Sequence, residues 1–239
     1  MIPQTLSILI PVYNEAGTIR RVLEKLEQVQ LSGDLRKEII VVDDGSTDET
    51  EEVVRSFKSE RPEMQLHFLK HNTNSGKGAA VQTGVHQATG SYLVIQDADL
   101  EYDPTEHNLL LDPIIKGFAD VVYGSRFVGS KPHRVLLFWH YLGNRVLTSL
   151  SNVMTNLNLT DMECGLKLFR MDLLRSLKLN EQGFGFEAEV TAKISRIPNV
   201  RIYEVGVSYY GRTYAEGKKI RWTDGITSLW VILRYNLFG

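Results

Sequence analysis

Cysteine is all but missing from this sequence: among 239 residues there is one, Cys164. An internal disulfide framework is excluded, and a reducing, cytoplasmic compartment is the expectation. A basic excess is missing too. The formal net charge is -2, which argues against a nucleic-acid binder, since such proteins usually carry a clustered basic excess, so any bound phosphate must be met by local cations. Long apolar runs are absent as well, since charged or polar residues break every stretch before the roughly 18 residues that a spanning helix needs. The opening MIPQTLSILIPVYNE has neither the basic start nor the small-residue cleavage site of a secretory signal, and it reads as a first strand. The six histidines fall into no metal-ligand or triad spacing.

What is present is the composition of a soluble globular protein, 43% hydrophobic and 23% charged, with a packed core. Its first half alternates short β-branched runs with helical patterns: Leu6 to Ile10 then Ile19 to Leu31, Glu38 to Val42 then Asp48 to Phe57, Leu66 to Leu69 then Gly78 to Ala88, and Tyr92 to Ile95. That rhythm predicts a Rossmann-like, mostly parallel α/β sheet, and runs such as IIVV suit strands covered on both faces. Ala119 to Tyr123 reads as a fifth strand; beyond it regular alternation is lost until Arg201 to Val207. A soft boundary near Ser130 divides one domain, 1–239, into halves 1–129 and 130–239, with no linker between them. Two segments, Val135 to Met154 and Ile226 to Phe238, have the aromatic, amphipathic character of helices that lie on a membrane or pack on their own core.

In a parallel sheet ligands collect at the carboxyl ends of the strands. Three predicted strands end in polar groups, Tyr13-Asn14-Glu15, Asp43-Asp44-Gly45-Ser46 and Asp97-Ala98-Asp99. Alternate carboxylates at a strand end can share a hard divalent cation that also bridges diphosphate oxygens, and Glu101 adds a third oxygen donor. The same triplet also serves as a solvated turn. In the second strand end a carboxylate can bond a base or ribose while Ser46 or Thr47 caps the next helix. Neither a receiver domain nor a P-loop fits: the fifth strand ends in Tyr123-Gly124-Ser125-Arg126 rather than in lysine, and Ser75-Gly76-Lys77-Gly78 lacks the P-loop spacing.

In order along the chain, IPVYNE, VVDDGSTD, NSGKGAA, DADLEYDP and YGSRF resemble glycosyltransferase family 2. More narrowly, Asp161 with Gly165 to Arg170, then Gly185-Phe186-Glu187 and Val205 to Tyr209, resemble its dolichyl-phosphate mannose synthase branch. The resemblance covers nearly the whole chain and implies a GT-A fold whose C-terminal extension handles the acceptor. It implies inverting, metal-dependent transfer of a sugar from a nucleotide, GDP-mannose being favoured over UDP-glucose or UDP-N-acetylglucosamine, to a polyprenyl or dolichyl phosphate. Carried over by position, Pro11, Tyr13, Glu15, Val42 and Asp44 hold the nucleoside side. Asp97, Ala98 and Asp99 hold the diphosphate and, with Glu101, a magnesium or manganese ion. Arg126, Arg212 and Lys218 face the phosphates, and Asp99 with these three cations forms the catalytic set. Cys164 and Leu166 depart from the Thr and Tyr common in relatives. Mannose synthases of this branch often carry membrane helices after the catalytic domain; here the expectation is peripheral contact with the cytoplasmic face of a membrane.

A phosphate monoester acceptor is largely dianionic at neutral pH and attacks without losing a proton, so no general base is required. The obstacle is repulsion between acceptor and diphosphate, which the dication and the three cations offset. A saccharide acceptor would need a base, for which Glu101, Asp161 and Glu187 are candidates. A non-catalytic sugar-nucleotide-binding module would keep the strand-end pocket alone.

Overall fold

The computed structural model describes residues 4–135, 138–213 and 222–238. The expected alternation is present in the first half: β1 (Thr5–Val12), α1 (Ile19–Gln28), β2 (Arg36–Asp43), α2 (Thr50–Glu60), β3 (Leu66–Lys70), α3 (Lys77–Gln87) and β4 (Tyr92–Ile95). Then come α4 (His107–Ile115), β5 (Val121–Ser125), α5 (Phe138–Thr155), β6 (Lys167–Arg170), α6 (Met171–Ser176), α7 (Phe186–Ile194), β7 (Ile202–Gly206) and α8 (Trp222–Leu237). The strands form one seven-stranded sheet in the order β3-β2-β1-β4-β6-β5-β7.

Period-two alternation within the apolar strands divides the core into two. Leu6, Ile8, Ile10, Ile39 and Val41 pack with the buried faces of α1, α2 and α4 on one side of the sheet. Leu9, Ile40 and Val42 face α3, α7 and α8 on the other. The helices show the complementary spacing: α1 buries Ile19, Val22, Leu23 and Leu26, the one-faced pattern of a 3.6-residue period. Burying a side chain of this size stabilises by roughly 1.5–3 kcal/mol, which is why the pattern rather than local propensity fixes the element.

The sheet is mixed. β1 pairs in parallel with β2 and β4, β2 with β3, and β5 with β7, while β6 runs antiparallel between β4 and β5. The sequence does not announce β6, because Lys167 to Arg170 is too short to show a period. Its insertion nevertheless joins the later half of the chain to the sheet of the first. It also brings the turn before it, Glu163 to Gly165, beside the end of β4.

The two amphipathic segments carry the helices Phe138–Thr155 and Trp222–Leu237, and each helix has two faces. From α8, Val231, Ile232 and Tyr235 are buried in the core, and from α5, Leu147, Leu150 and Met154 pack against it. Outward they expose Phe138, Trp139, Val146 and Val153 from α5, and Ile226, Leu229 and Trp230 from α8. No helix among the described residues is long and apolar enough to cross a membrane.

Candidate functional site

A crevice of about 860 Å³ opens over the carboxyl ends of β1, β2 and β4. Its lining includes Pro11, Tyr13, Glu15, Asp44, Asp97, Ala98, Asp99, Glu101, Arg126 and Arg212, so nearly all the residues expected from the sequence meet in one place. Val42 does not line it: its side chain is fully buried beneath, in the core with α3 and α7, as its inward register on β2 requires. Lys218 lies outside the described residues.

The first two strand ends lock together. The amide of Asn14 donates to Ser46 Oγ at 2.9 Å, and Asn14 Oδ1 accepts from the amide of Thr47 at 2.8 Å. Glu15 donates its amide to Thr50 Oγ1 at 2.9 Å. Neither Ser46 nor Thr47 caps α2, contrary to the sequence reading, because the helix starts only at Thr50 with Glu49 before it, and Ser46 Oγ is taken by the Asn14 amide. Asp48 Oδ1 instead accepts from the Thr50 amide at 3.1 Å.

Asp44 is turned inward to hold the loop before α3. Its Oδ1 accepts from the Ser75 amide at 2.9 Å and lies 2.8 Å from His71 Nδ1, while its Oδ2 accepts from the Gly76 amide at 2.7 Å. The other ring nitrogen of His71 lies 2.9 Å from Thr83 Oγ1. Gly76 has φ +99°, and a Cβ there would sit 2.5 Å from the Gln182 carbonyl oxygen, so only glycine fits this turn.

That loop delivers Lys77, which the sequence reading overlooked. Lys77 Nζ lies 2.9 Å from Asp97 Oδ1 and 2.9 Å from Glu187 Oε1. Burial acts to lower its pKa, but the two carboxylates outweigh burial and hold it above the ordinary lysine value. The one available signal was the lysine of Ser75-Gly76-Lys77-Gly78, set aside together with the P-loop. Gly165 completes the contact: a Cβ there would stand 2.1 Å from Asp97 Oδ2.

Asp99 Oδ1 accepts from the Glu101 amide at 3.0 Å, and its Oδ2 lies 3.2 Å from Arg212 Nη2, which also reaches Glu15 Oε1 at 3.4 Å. Between the two acids, Leu100 adopts the left-handed backbone with φ +64°, a conformation that costs an L-residue roughly 1–2 kcal/mol. Burial, then the charges of Asp97 and Glu101, push the Asp99 carboxyl up to about 7.

Glu101, expected as a third metal donor, accepts hydrogen bonds from the segment around Arg212. Its Oε2 accepts from Tyr209 OH at 2.9 Å, its Oε1 from the Arg212 amide at 2.7 Å, and its carbonyl from the Tyr210 amide at 2.8 Å. It thus clamps the segment that carries Arg212 over the acid pair. Arg126 lines the crevice with its charge compensated, since it pairs with the fully buried Asp161 at 2.6 Å and stacks over the Tyr209 ring at 5.2 Å.

Among the described residues no group of three or more His, Cys, Asp or Glu side chains is arranged to hold a metal ion. Two carboxylates are nevertheless what magnesium commonly takes from a protein, the rest of its shell being phosphate oxygens and water. Asp97 and Asp99 fit that donor set, and the crowding that raises Asp99 is what a cation relieves.

The profile of glycosyl transferase family 2 matches residues 7–178, well over half of the sequence and inclusive of every strand end just described. The chain belongs to glycosyl transferase family 2. Among similar family members, dodecaprenyl-phosphate galacturonate synthase of Rhizobium johnstonii is 28% identical over 89% of this chain and 61% of its own length. A dolichyl-phosphate beta-glucosyltransferase of Trichomonas vaginalis is 31% identical over 97% of this chain and 73% of its own. An undecaprenyl-phosphate mannosyltransferase of Micrococcus luteus is 30% identical over 88% and 85%. The chain thus spans less than two thirds of the first of these. Glucosyl-3-phosphoglycerate synthase from Mycobacterium tuberculosis, solved with Mn2+, UDP and phosphoglyceric acid, superposes with a TM-score of 0.75 at 20% identity, over 99% of this chain and 80% of that one. The same enzyme has been solved with Mg2+ and UDP. The likeness is of fold, and the fold is GT-A.

Proposed function

We propose that this chain is an inverting, metal-dependent transferase that moves a hexose from a nucleoside-diphosphate sugar to a polyprenyl phosphate at a membrane surface. The observation that carries the reading is the Asp97 and Asp99 pair at the end of β4, on the floor of a crevice with Arg212 above it. Pro11, Tyr13 and Glu15 at the end of β1 lie on the nucleoside side. Asp97 and Asp99 would hold a magnesium or manganese ion, which when bound neutralises charge on the leaving diphosphate. Arg212 and Lys218 add positive charge for the acceptor phosphate, and the half of the chain after residue 129 supplies the acceptor side. GDP-mannose and UDP-glucose are the first donors to test, since relatives are named for mannosyl and glucosyl transfer.

Two of the three candidate bases are engaged, which favours a phosphate acceptor. Asp161 is committed to Arg126 and both oxygens of Glu101 to Tyr209 and Arg212, whereas Glu187 is paired with Lys77 through Oε1 alone and is the base a hydroxyl acceptor would have to use. A dianionic phosphate needs no base, whereas a saccharide hydroxyl does. The outward aromatic faces of α5 and α8 favour a lipid-borne acceptor, because Asp224 places the start of α8 at the crevice itself.

The deciding experiment is transfer of radiolabelled mannose or glucose from GDP-mannose or UDP-glucose to undecaprenyl phosphate, with Mg2+ or Mn2+ and with chelator. Metal-dependent lipid product in the wild type, lost in Asp99→Asn with the thermal midpoint no lower than wild type in metal-free buffer, is the expected outcome. Full turnover by Asp99→Asn, or product formed only on a soluble saccharide, overturns the reading.

A further inference from the structure

Beyond the acid pair, the crevice runs on to a set of groups with no partner in the chemistry so far described. Glu187, from the first turn of α7, is only 4% exposed; its Oε1 takes Lys77 and its Oε2 has no hydrogen-bond partner. Glu163, in the turn before β6, likewise has a buried Oε1 with no partner. Both residues line the crevice. A buried carboxylate oxygen without a donor is costly, so each of these oxygens calls for an incoming hydrogen-bond donor, a demand that the hydroxyl groups of a sugar meet.

Their location says whose hydroxyls. Lys77 touches Asp97 and Glu187 at once, so Glu187 stands one ammonium group away from the carboxylates assigned to the diphosphate. The transferred sugar is bonded directly to that diphosphate. With the nucleoside directed to the end of β1, the sugar falls toward α7 and the turn before β6. Gly165 keeps this passage open, since a Cβ there would crowd both Asp97 and Lys77.

We infer that Glu187 and Glu163 form the subsite that reads the hydroxyls of the donor sugar, and that this carboxylate pair admits a neutral hexose and rejects a uronic acid. The inference rests on the donor reading above. A hexose meets the free oxygens with hydroxyl donors. A uronate would bring a further anion to a place where three carboxylates, Asp97, Glu187 and Glu163, already face only two ammonium groups, Lys77 between Asp97 and Glu187 and Lys167 on the Cys164 carbonyl. Like-charge contact in a water-poor site is strongly unfavourable. On this account the chain differs in donor from the relative named a galacturonate synthase.

The test is titration calorimetry of the intact chain with Mn2+ and UDP, UDP-glucose or UDP-glucuronate, and with GDP, GDP-mannose or GDP-mannuronate. With the accepted base, the wild type should bind the uronate donor more than about tenfold more weakly than the hexose donor. In Glu187→Gln and Glu163→Gln, the gain in affinity of hexose donor over bare diphosphate should shrink and the uronate penalty should narrow. Equal affinity of wild type for hexose and uronate donors overturns the inference, as does an unchanged hexose gain in both folded variants. The wild-type comparison decides the matter even where a variant fails to fold. Failure to bind either bare diphosphate is a different result, which removes the donor reading itself and this inference with it.

Discussion

The guanidinium of Arg126 meets the carboxylate of Asp161 at two points, Nε to Oδ2 and Nη2 to Oδ1, both at 2.6 Å. Asp161 is fully buried and also accepts from the Arg126 amide and from Asn144 Nδ2, each at 3.0 Å. Burial alone would raise the Asp161 carboxyl, but Arg126 outweighs it and holds the group below its usual range. The two-point pair ties the end of β5 to the chain entering β6 and so organises the crevice wall that Arg126 lines.

Arg126→Ala should therefore act first on stability. Leaving a buried carboxylate without its partner typically costs about 3–5 kcal/mol. Urea denaturation should show a loss of that order, and Arg126→Lys, which cannot reproduce the fork, should recover only part of it. A loss below about 1 kcal/mol, the range of an exposed pair, would return Arg126 to the role of a free phosphate-facing cation.

Gly165→Ala separates geometry from stability. The added Cβ meets the carboxylate of Asp97, the movable end of a side chain, rather than backbone. Asp97 can swing aside with little loss of fold, but it then leaves its place beside Lys77. Turnover should fall by about 100-fold, the usual effect of a misplacement near 1 Å, with the thermal midpoint nearly unchanged. Turnover within about twofold of wild type would show that the position of Asp97 is unimportant.

How far these relationships were legible in the sequence depends on their range. β4 ends where its apolar run ends, and Asp97 and Asp99 follow at once, so a local pattern sufficed for the acid pair. The interlock of Asn14 with Ser46 and Thr47 spans more than 30 residues and assigned the hydroxyls differently from the local capping rule. Lys77 was visible only as the lysine of a failed phosphate loop, because its partner Glu187 lies on a helix whose neighbours give no charge pattern. Glu187 itself was read from the sequence, in Gly185-Phe186-Glu187 and as a candidate base, but not as the buried partner of Lys77. β6 escaped because a four-residue strand has no measurable period, and α4 because Pro113 interrupts an otherwise continuous apolar stretch.

Acidity around the site gives a pH dependence with a definite sign. The Asp99 carboxyl is raised from 3.8 to about 7, by burial first and by Asp97 and Glu101 next. Glu163 is raised from 4.5 to about 7, by burial and then by Glu187. A carboxyl whose folded value exceeds its unfolded value binds more protons in the folded state between the two, so stability falls as pH rises through that window. Metal-free thermal midpoints should accordingly decline from about pH 4 to about pH 7, and Asp99→Asn and Glu163→Gln should each flatten the decline. An identical slope in wild type and both variants would place the proton uptake elsewhere. Added Mn2+ should bind more tightly as pH rises toward and past 7, because the cation requires the ionised Asp99.

The outer faces of α5 and α8 carry the remaining prediction. The two helices pack against each other, and outward they show Phe138 at 63%, Trp139 at 76% and Trp230 at 58% exposure, with Phe238 just past α8 at 80%. Aromatic rings of this kind settle at the boundary between lipid headgroups and acyl chains, and the exposed Arg145 on α5 adds attraction to anionic lipid. Transfer of one such side chain from water is worth roughly 1.5–3 kcal/mol when complete, so losing two tryptophans should weaken vesicle binding by more than about tenfold. Trp139→Ser combined with Trp230→Ser should therefore reduce co-sedimentation with vesicles containing phosphatidylglycerol. Transfer to undecaprenyl phosphate in those vesicles should fall with it, while transfer to a short-chain, water-soluble prenyl phosphate stays near wild type. Loss of both activities together would place the tryptophans in folding instead, and unchanged vesicle binding would remove this face from membrane contact.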